Sequence, residues 1–438
     1  MRAVAGMHST TCGVRVSRPY DSPVPLSQRS GSAIRVVATR RPRRVVAAWA
    51  LAATTALGAA AGCSPAREGA GPGAQRRTTV EPGTPAGAAA YPLLTPACPT
   101  VPAVTSNRTV TVAELNRVVA GLDLPLWQAG DIGASTRLPD GRIVWVFGDT
   151  VRADGVRPRV VANSMLVTTG LCTSQVQTRD SGPVIPDRAD GTVHWPMSVA
   201  TLERGGQTVL VVISARIRRG TSGAFDFTYL GSSATVFDAT GDGAPRLDSQ
   251  LDITPDDPDP TQVNWGSAMT VAGPWIYVYG TRLPSPDSFG RSLHVARAPA
   301  AEARDRRTWE FWDGSRWTST PEAAAPVLPA QGGVSQTLSV DVVDGRFVVV
   351  SKRDGDLGST VYSWTSDSPT GPWTPRRGVR AQFQDPSGQL RYAPLAHPGI
   401  RLADGRLLIS ISRNTTDFGR LLAEPTLGRP VFAEIDRP

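Results

Sequence analysis

Residues Gly130–Thr150 read GDIGASTRLPDGRIVWVFGDT, and the fold prediction depends on this stretch. Two apolar runs flank the turn signal Pro139-Asp140-Gly141, where glycine tolerates the positive φ of a tight turn. The pattern predicts an antiparallel hairpin whose outer ends carry Asp131 and Asp149. Because a hairpin folds back on itself, we expect the two carboxylates to lie near the same end of a sheet.

The same unit recurs four more times along the chain. Short turns at Gly206, Gly273, Gly345 and Gly405 each precede a β-branched or aromatic run. The successive spacings between the five turn glycines, starting from Gly141, are 65, 67, 72 and 60 residues. Five β-units at near-even spacing predict radial repetition, and therefore an all-β, five-bladed β-propeller. A β-sandwich with recurrent hairpins is the alternative.

Each unit is preceded by a strand of small and polar residues, which suits a crowded position near the axis of a propeller. We expect these inner strands to begin near Asp131, Trp195, Trp265, Gln336 and His397.

Residues 1–62 have the pattern of an export signal and are excluded from the fold. They contain nine Arg, no Lys and one acidic residue, and an uncharged apolar run from Val45 ends at Ala61-Gly62-Cys63. These features resemble a bacterial lipoprotein signal, in which Cys63 is lipidated and anchors the protein to the membrane. An uncleaved membrane anchor is the alternative.

Residues 63–97 are rich in Ala, Gly and Pro and predict a flexible, disordered tether, so the propeller domain is expected over residues 98–438. Without the leader, 37 basic and 37 acidic residues remain. The basic isoelectric point therefore belongs to the leader, and nothing indicates a nucleic-acid partner. We expect a monomer outside the cytoplasm, either attached to the membrane as a lipoprotein or secreted.

The cysteines outside the leader and the processing site are Cys98 and Cys172. An even pair in an exported protein predicts a disulfide. Two cysteines and four scattered histidines form no metal-ligand pattern, so we expect neither a metal nor a cofactor.

In a propeller the inner strands converge on a central funnel, which makes one concave site from several blades. We expect Asp131 and Asp149 to be the catalytic residues there. Trp rings can stack on sugars, and amide and basic side chains can bind their hydroxyl groups. The candidate substrate-binding residues are Asn163, His194, Trp195, Asn264, Trp265, Gln336, Lys352, Arg353, His397, Arg413 and Asn414. Each could instead serve only in packing or in a turn.

Five segments between residues 120 and 415 occur in a recognisable order: LPDGRIVWVFGDT, VANSMLV, WEFWDGSRW, SDSPTGPW and AHPGIRLADGRLLISISRN. This order resembles the secreted actinobacterial propeller family catalogued as domain of unknown function number 4185, some of whose members are endo-D-arabinanases. The resemblance implies a five-bladed propeller that hydrolyses a furanose-containing polysaccharide of the cell envelope, such as arabinan. More remotely, the chain is similar to five-bladed glycosidases with an Asp base on the first inner strand, which Asp131 matches.

Glycoside hydrolysis needs a carboxylic acid and a carboxylate. Asp131 is expected to be the base or nucleophile, and Asp149 the acid or the residue that tunes it. The chain departs from the family pattern at Val151, where an aromatic is usual, and at Ser335–Ser339, where an acidic residue is expected. Asp341, Asp354 and Asp356 are therefore reserve acids. A non-catalytic glycan-binding propeller or an envelope scaffold is the alternative.

Overall fold

The computed structural model describes residues 91–104, 108–221, 226–303 and 305–438. The predicted leader, Cys63 and most of the predicted tether lie outside the described residues. Within the described ranges, no helix combines the length and the apolar character needed to cross a membrane.

Five antiparallel sheets surround a central axis, as predicted from the recurring hairpins. An N-terminal segment precedes them and contains β1 (Leu93–Pro96), β2 (Thr109–Val110) and helix α1 (Val112–Ala120). Blade 1 contains β3 (Ala129–Arg137), β4 (Ile143–Val151), β5 (Val160–Val161), β6 (Ser164–Thr169) and β7 (Cys172–Gln177). Blade 2 contains β8 (Val193–Arg204), β9 (Gln207–Arg219), β10 (Phe227–Asp238) and β11 (Arg246–Asp252).

The remaining blades repeat this order from the axis outward. Blade 3 contains β12 (Asn264–Ala272), β13 (Trp275–Arg282), β14 (Ser292–Pro299), β15 (Glu310–Trp312) and β16 (Trp317–Thr318). Blade 4 contains β17 (Ser339–Val343), β18 (Arg346–Lys352), β19 (Thr360–Ser366) and β20 (Thr374–Arg380). Blade 5 contains β21 (Gln389–Ala396), β22 (Arg401–Leu402), β23 (Leu407–Thr415), helix α2 (Phe418–Ala423) and β24 (Val431–Ile435). Short 3₁₀ helices cover Ala300–Glu302, Arg306–Thr308, Pro321–Ala323 and Pro425–Gly428.

The predicted hairpin of blade 1 is confirmed, since β3 pairs with β4 around the turn at Asp140 and Gly141. The Asp140 carboxylate accepts a hydrogen bond from the Arg142 backbone N–H at 2.9 Å, which closes the turn. All five marker glycines have positive φ, between 57° and 93°. Glycine is favoured at these positions because a side chain would strain a backbone with positive φ. The five turn signals therefore mark the same end of every blade.

The predicted start of the fifth inner strand is wrong. β21 begins at Gln389, and His397 follows its last residue. The strand contains Arg391 and Pro394, which do not match the small, polar pattern of an inner strand. Pro394 is accommodated because β21 bulges between Tyr392 and Leu395, where the ladder to β23 is interrupted.

The ring is closed between blade 5 and the N-terminal segment. β2 pairs in parallel with β22, and the Asn116 side chain of α1 exchanges two hydrogen bonds with the Phe432 backbone, at 2.8 and 3.0 Å. The buried Arg429 guanidinium donates to the carbonyls of Val119, Ala120 and Leu122 at 2.7–2.9 Å. A cation at this position also stabilises the C-terminal end of the α1 dipole.

Apolar side chains fill each gap between neighbouring blades, so the core is divided into wedges. Ile213 and Phe311 belong to the cluster between blades 2 and 3, and Tyr279 and Val349 to the cluster between blades 3 and 4. The first strands of all five blades lie next to one another around the axis. This arrangement brings their N-terminal ends to one face of the propeller, which we call the funnel face; the opposite face is the turn face.

The predicted disulfide between Cys98 and Cys172 is confirmed, with Cα atoms 5.8 Å apart. It follows directly on β1, which pairs with β7 over four residues. β1 lies inside the segment expected to be a tether, so the ordered chain begins before residue 98. Backbone pairing and the covalent bond together hold a segment whose composition alone does not predict a strand.

Loss of the disulfide is expected to destabilise blade 1. Cys98→Ser should lower the free energy of unfolding by about 2–4 kcal/mol, because the bond closes a long loop in the unfolded chain. Urea unfolding of the variant and the wild type measures this. Reductant should destabilise the wild type and leave the variant unchanged, and equal wild-type and variant midpoints without reductant would contradict the prediction.

Candidate functional site

The inner strands are irregular close to the funnel face. β3 bulges around Ile132, β8 between Pro196 and Ser198, and β21 after Tyr392. Ile132 and Ala393 have φ values of 66° and 42°, which are rare for residues with a side chain. Bulges redirect neighbouring side chains. Ile132 directly follows Asp131, and Ala393 directly follows Tyr392.

Asp131 precedes the first bulge and faces blade 5. The Tyr392 hydroxyl donates to Asp131 Oδ2 at 2.8 Å, and the Asn414 amide donates to the Tyr392 oxygen at 3.3 Å. A methyl group on Gly148 would come within 2.4 Å of Asp131 Oδ1. Glycine at this position therefore gives the carboxylate room to lie against β4.

Asp149 lies on the neighbouring strand end, as the hairpin predicts, and it faces blade 2. Trp195 Nε1 donates to Asp149 Oδ1 at 2.8 Å. Arg219 binds both carboxylate oxygens, one of them through Nη1 at 3.1 Å, and its guanidinium lies 5.4 Å from the centre of the Trp195 ring. The Asp149 side chain is about one-third exposed, at 32%.

The two carboxyl groups interact electrostatically, and their surroundings differ. Burial first, and then the negative charge of Asp149, raises the pKa of Asp131 to about 7 from 3.8, against the hydrogen bond from Tyr392. Burial also raises the pKa of Asp149, but Arg219 and Trp195 oppose that shift by stabilising the anion. Asp149 is thus the group whose partners stabilise its anion, and Asp131, with a pKa of about 7, is the one that retains a proton in mildly acidic solution.

A cavity of about 50 Å³ lies beside Asp131 on the propeller axis. Its lining combines residues of blades 1, 2 and 4: Asp131, Ile132, Trp195, Pro196, Met197, Ala215, Gln336 and Thr337. Gln336 accepts a hydrogen bond from Arg291 Nη2 at 3.3 Å through its Oε1. Arg291 can only donate, so the Gln336 amide group is left to donate elsewhere.

Four of the predicted substrate-binding residues belong to this region or adjoin it. Trp195 and Gln336 line the cavity, and Asn414 contacts Tyr392. Lys352 is linked to Gln336 through Asp356, whose carboxylate accepts from the Gln336 backbone N–H. The Lys352 ammonium group is fully buried and donates to the carbonyls of Arg391 and Asp356 at 2.5 and 3.2 Å. Burial lowers the pKa of Lys352 to about 8.

The other candidates have structural partners away from the cavity. Asn163 holds the backbone of Ile185 and His194 with three hydrogen bonds. His194 bonds the Pro186 carbonyl and Gln250. Further members of this group are Trp265, Arg353 and Arg413: Trp265 packs edge-on against Phe311, Arg353 stacks on Tyr362, and Arg413 binds the carbonyls of Thr426 and Arg429. Asn264 is buried outside the cavity lining, and its Oδ1 has no hydrogen-bond partner in the described structure.

His397 is buried in the seam between blades 5 and 1. Its two ring nitrogens bond the hydroxyl groups of Ser135 and Ser410, both at 2.7 Å. Burial lowers the pKa of His397 to about 3, so the ring is neutral. It lies outside the group formed by Asp131, Asp149 and their partners Tyr392, Trp195 and Arg219, which we call the carboxylate cluster, because it follows β21 rather than beginning it.

The reserve acids occupy other places. Asp341 lies on β17, where burial raises its pKa to about 7 and its Oδ2 has no hydrogen-bond partner in the described structure. Asp354 and Asp356 accept backbone N–H groups of Gly332 and Gln336 at 2.9 and 3.2 Å. None of the three contacts the Asp131–Asp149 pair.

Three residues of the site were missed in the sequence. Arg219 ends the second strand of blade 2, as Asp149 ends that of blade 1, and this equivalence could have revealed it. Tyr392 could have been identified only if the start of the fifth inner strand had been predicted correctly. Asp187 is a loop residue whose carboxyl group interacts electrostatically with Arg219 and Asp149, and partial desolvation of that group raises its pKa. Among the described residues, no three His, Cys, Asp or Glu side chains converge to hold a metal.

Solved structures with a similar fold include glycoside hydrolases. A Bacteroides ovatus protein provisionally described as a hydrolase is 18% identical, with a TM-score of 0.56 over 74% of this chain and 89% of that one. An arabinoxylan arabinofuranohydrolase of glycoside hydrolase family 43 from Bacillus subtilis is 11% identical, with a TM-score of 0.46 over 73% and 67%. An α-L-arabinofuranosidase from Lactobacillus brevis is 13% identical, with a TM-score of 0.43 over 71% and 91%. At these identities the first similarity shows the fold alone.

A search of curated proteins gave no match to the sequence. The family model that matches is that of the domain of unknown function DUF5005, over residues 123–436. This is a different family from the one numbered 4185 that the order of motifs resembles, although the five-bladed architecture implied by that resemblance is confirmed. The match extends from just before β3 to the end of β24 and includes the whole carboxylate cluster. Because the model matches most of the sequence, the chain belongs to the DUF5005 family.

Proposed function

We propose that the protein is an exported glycoside hydrolase of the cell envelope, with Asp131 and Asp149 as its two catalytic carboxyl groups. The observation that carries this proposal is their pairing: the carboxyl groups share one end of a hairpin at the funnel, and only Asp149 has an arginine partner that opposes the rise of its pKa. Pairs of titratable groups whose environments drive their pKa values apart are typical of acid–base catalysis.

Asp131 is the general acid in this proposal. Its pKa of about 7 keeps it largely protonated in mildly acidic solution, and it lines the cavity where a glycosidic oxygen would lie. It gives its proton to the leaving oxygen as the bond to the anomeric carbon breaks. This reverses the division of roles expected from the sequence, because the contacts of Asp149 favour its anion.

Asp149 is the carboxylate that acts at the anomeric carbon. An ionised carboxylate has about four acceptor sites, and Trp195 and Arg219 occupy three of those on Asp149. One site is left for a water molecule or a sugar carbon. The same contacts stabilise its negative charge beside the positive charge that develops on the sugar ring in the transition state.

The polar groups of the funnel suit a sugar substrate, and the proposed substrate is a furanose-containing polysaccharide such as arabinan. Trp195 offers an aromatic ring, and Gln336 offers amide hydrogens whose direction Arg291 sets. The Bacteroides ovatus neighbour, provisionally described as a hydrolase, supports this class of reaction through its shared fold.

Asp131→Asn should lower the rate of arabinan cleavage by a factor of about 10²–10⁴ or more, because the amide has no acidic proton to donate. Chromatography of the released products measures the loss. Asp341→Asn is the matched control, since Asp341 is also buried with a raised pKa but lies outside the cluster. If folded Asp131→Asn cleaves arabinan as fast as the wild type, the assignment of Asp131 is wrong.

The same variant gives an independent stability test. The pKa of Asp131 is raised in the folded state, so the wild type loses stability as pH rises from about 4, near the unfolded pKa, to about 7. Asparagine does not ionise and removes this loss. The melting temperature of Asp131→Asn should therefore equal or exceed that of the wild type at pH 8, whereas a purely structural Asp131 predicts a decrease.

Asp149→Asn should also lower activity, and it should move the basic limb of the pH profile to lower pH. Without the neighbouring negative charge, the pKa of Asp131 falls, and the acid loses its proton earlier as pH rises. Residual activity measured between pH 4 and 9 shows the shift. Asp154→Asn, on the exposed loop after β4, is the control that removes a more distant charge. An unshifted or alkaline-shifted limb would contradict the assigned role of Asp149.

The proposed location is the outer side of the cytoplasmic membrane, with Cys63 as the lipidated residue. Stable attachment needs more than one acyl chain, so Cys63→Ser should release the protein from the membrane fraction or stop its processing. Fractionation and intact-mass measurement test this. Unchanged membrane association together with unchanged mass would exclude Cys63 as the anchor.

A further inference from the structure

The two faces of the propeller differ in their connections. On the turn face, the first and second strands of blades 2, 3 and 4 are joined by tight turns at Gly205-Gly206, Gly273 and Asp344-Gly345. On the funnel face, the second and third strands are joined by longer segments. Blades 2 to 5 each have one exposed apolar side chain in or next to the segment that joins the second strand to the third.

These four side chains, which we call the rim residues, are Phe227, Phe289, Leu357 and Phe418. They are 38%, 62%, 46% and 46% exposed. They include every exposed phenylalanine among the described residues. The other large apolar side chains that are exposed in the described structure are aliphatic and lie elsewhere: Val101, Val104, Leu247 and Val342. Exposed aromatic groups gathered on one face indicate an interaction surface.

One rim residue is linked directly to the pair Asp131 and Asp149. The Phe227 ring packs edge-on against Trp195, with centroids 4.8 Å apart, and Trp195 donates its hydrogen bond to Asp149. Blades 3 and 4 are joined in the same way: a Cβ on Gly355, two residues before Leu357, would lie 1.9 Å from the Phe289 carbonyl oxygen. Phe227 therefore adjoins the carboxylate pair, and the equivalent segments of blades 3 and 4 contact each other on the same face.

The charges beside the rim residues restrict the kind of partner. Each rim residue has an aspartate one or two positions before it in the sequence: Asp226, Asp287, Asp356 and Asp417. Two arginines of the strands beside the funnel are paired with carboxylates, Arg219 with Asp149 and Arg391 with Asp385. Carboxylates next to aromatic rings repel an anionic lipid surface and suit a neutral polymer with many hydroxyl groups.

We propose that the rim residues bind the part of the glycan chain that extends beyond the funnel, so that the protein selects long polysaccharide over short oligosaccharides. This inference rests on the proposed function for the identity of the sugar. The aromatic rings stack on sugar rings outside the reacting unit, and the adjacent carboxylates accept hydrogen bonds from their hydroxyl groups.

Affinity electrophoresis in gels containing arabinan tests the inference in an Asp131→Asn background, where cleavage is expected to be strongly reduced. Phe289→Ala and Phe418→Ala should each weaken binding to the polymer about 2- to 10-fold, the factor that corresponds to one aromatic stacking contact. Leu247→Ala and Val342→Ala are matched controls, because they remove exposed apolar groups away from the rim. With Asp131 present, the Phe variants should also show a lower ratio of activity on arabinan to activity on an arabinotriose.

Arabinan affinity that is equal in the Phe variants and their parent overturns the inference, as does a parent that does not bind arabinan. Phe-dependent sedimentation with phosphatidylcholine–phosphatidylglycerol vesicles, without arabinan binding, assigns the surface to the membrane and also overturns it. If the wild type binds arabinan without cleaving it, the proposed hydrolase activity is wrong, and the inference about the rim residues is still supported. The two failures are therefore distinguishable.

Discussion

Closure of the ring between blades 5 and 1 is the constraint on which the candidate site depends. Asp131 lies on the first inner strand and Tyr392 on the last, 261 positions apart, and they meet because the ring closes. Arg429, β2 and the Asn116–Phe432 bonds hold the N-terminal segment against blade 5. Any change that opens this seam would separate Asp131 from its hydrogen-bond donor.

The site is built at a cost to stability. Asp131 is buried with its pKa raised to about 7, so ionising it in the folded protein is unfavourable. Ile132 and Ala393, which follow Asp131 and Tyr392, adopt backbone conformations that side chains disfavour. Strain of this kind persists where the surrounding structure enforces it, and it is frequent at functional sites. Here the strained residues flank both partners of the hydrogen bond between blades 1 and 5.

Much of the site was accessible from local sequence patterns. The hairpin of blade 1 implied that Asp131 and Asp149 would lie together, because strand pairing converts a short sequence separation into proximity. Trp195 and Gln336 were located because both lie close to the start of an inner strand. The same reasoning failed at His397, where a turn was taken for the start of a strand, and Tyr392 was missed as a consequence.

The sequence by itself determined the number of blades and the turns between their first two strands, because hairpin formation depends on local periodicity and on turn glycines. It also placed the two aspartates at one end of the first hairpin. Only the tertiary structure decided which carboxyl group has partners that stabilise its anion, because Arg219, Trp195 and Tyr392 come from blades 2 and 5. It alone gathered the exposed phenylalanines on the funnel face, since contacts between blades depend on closing the ring and leave no local signal in the chain.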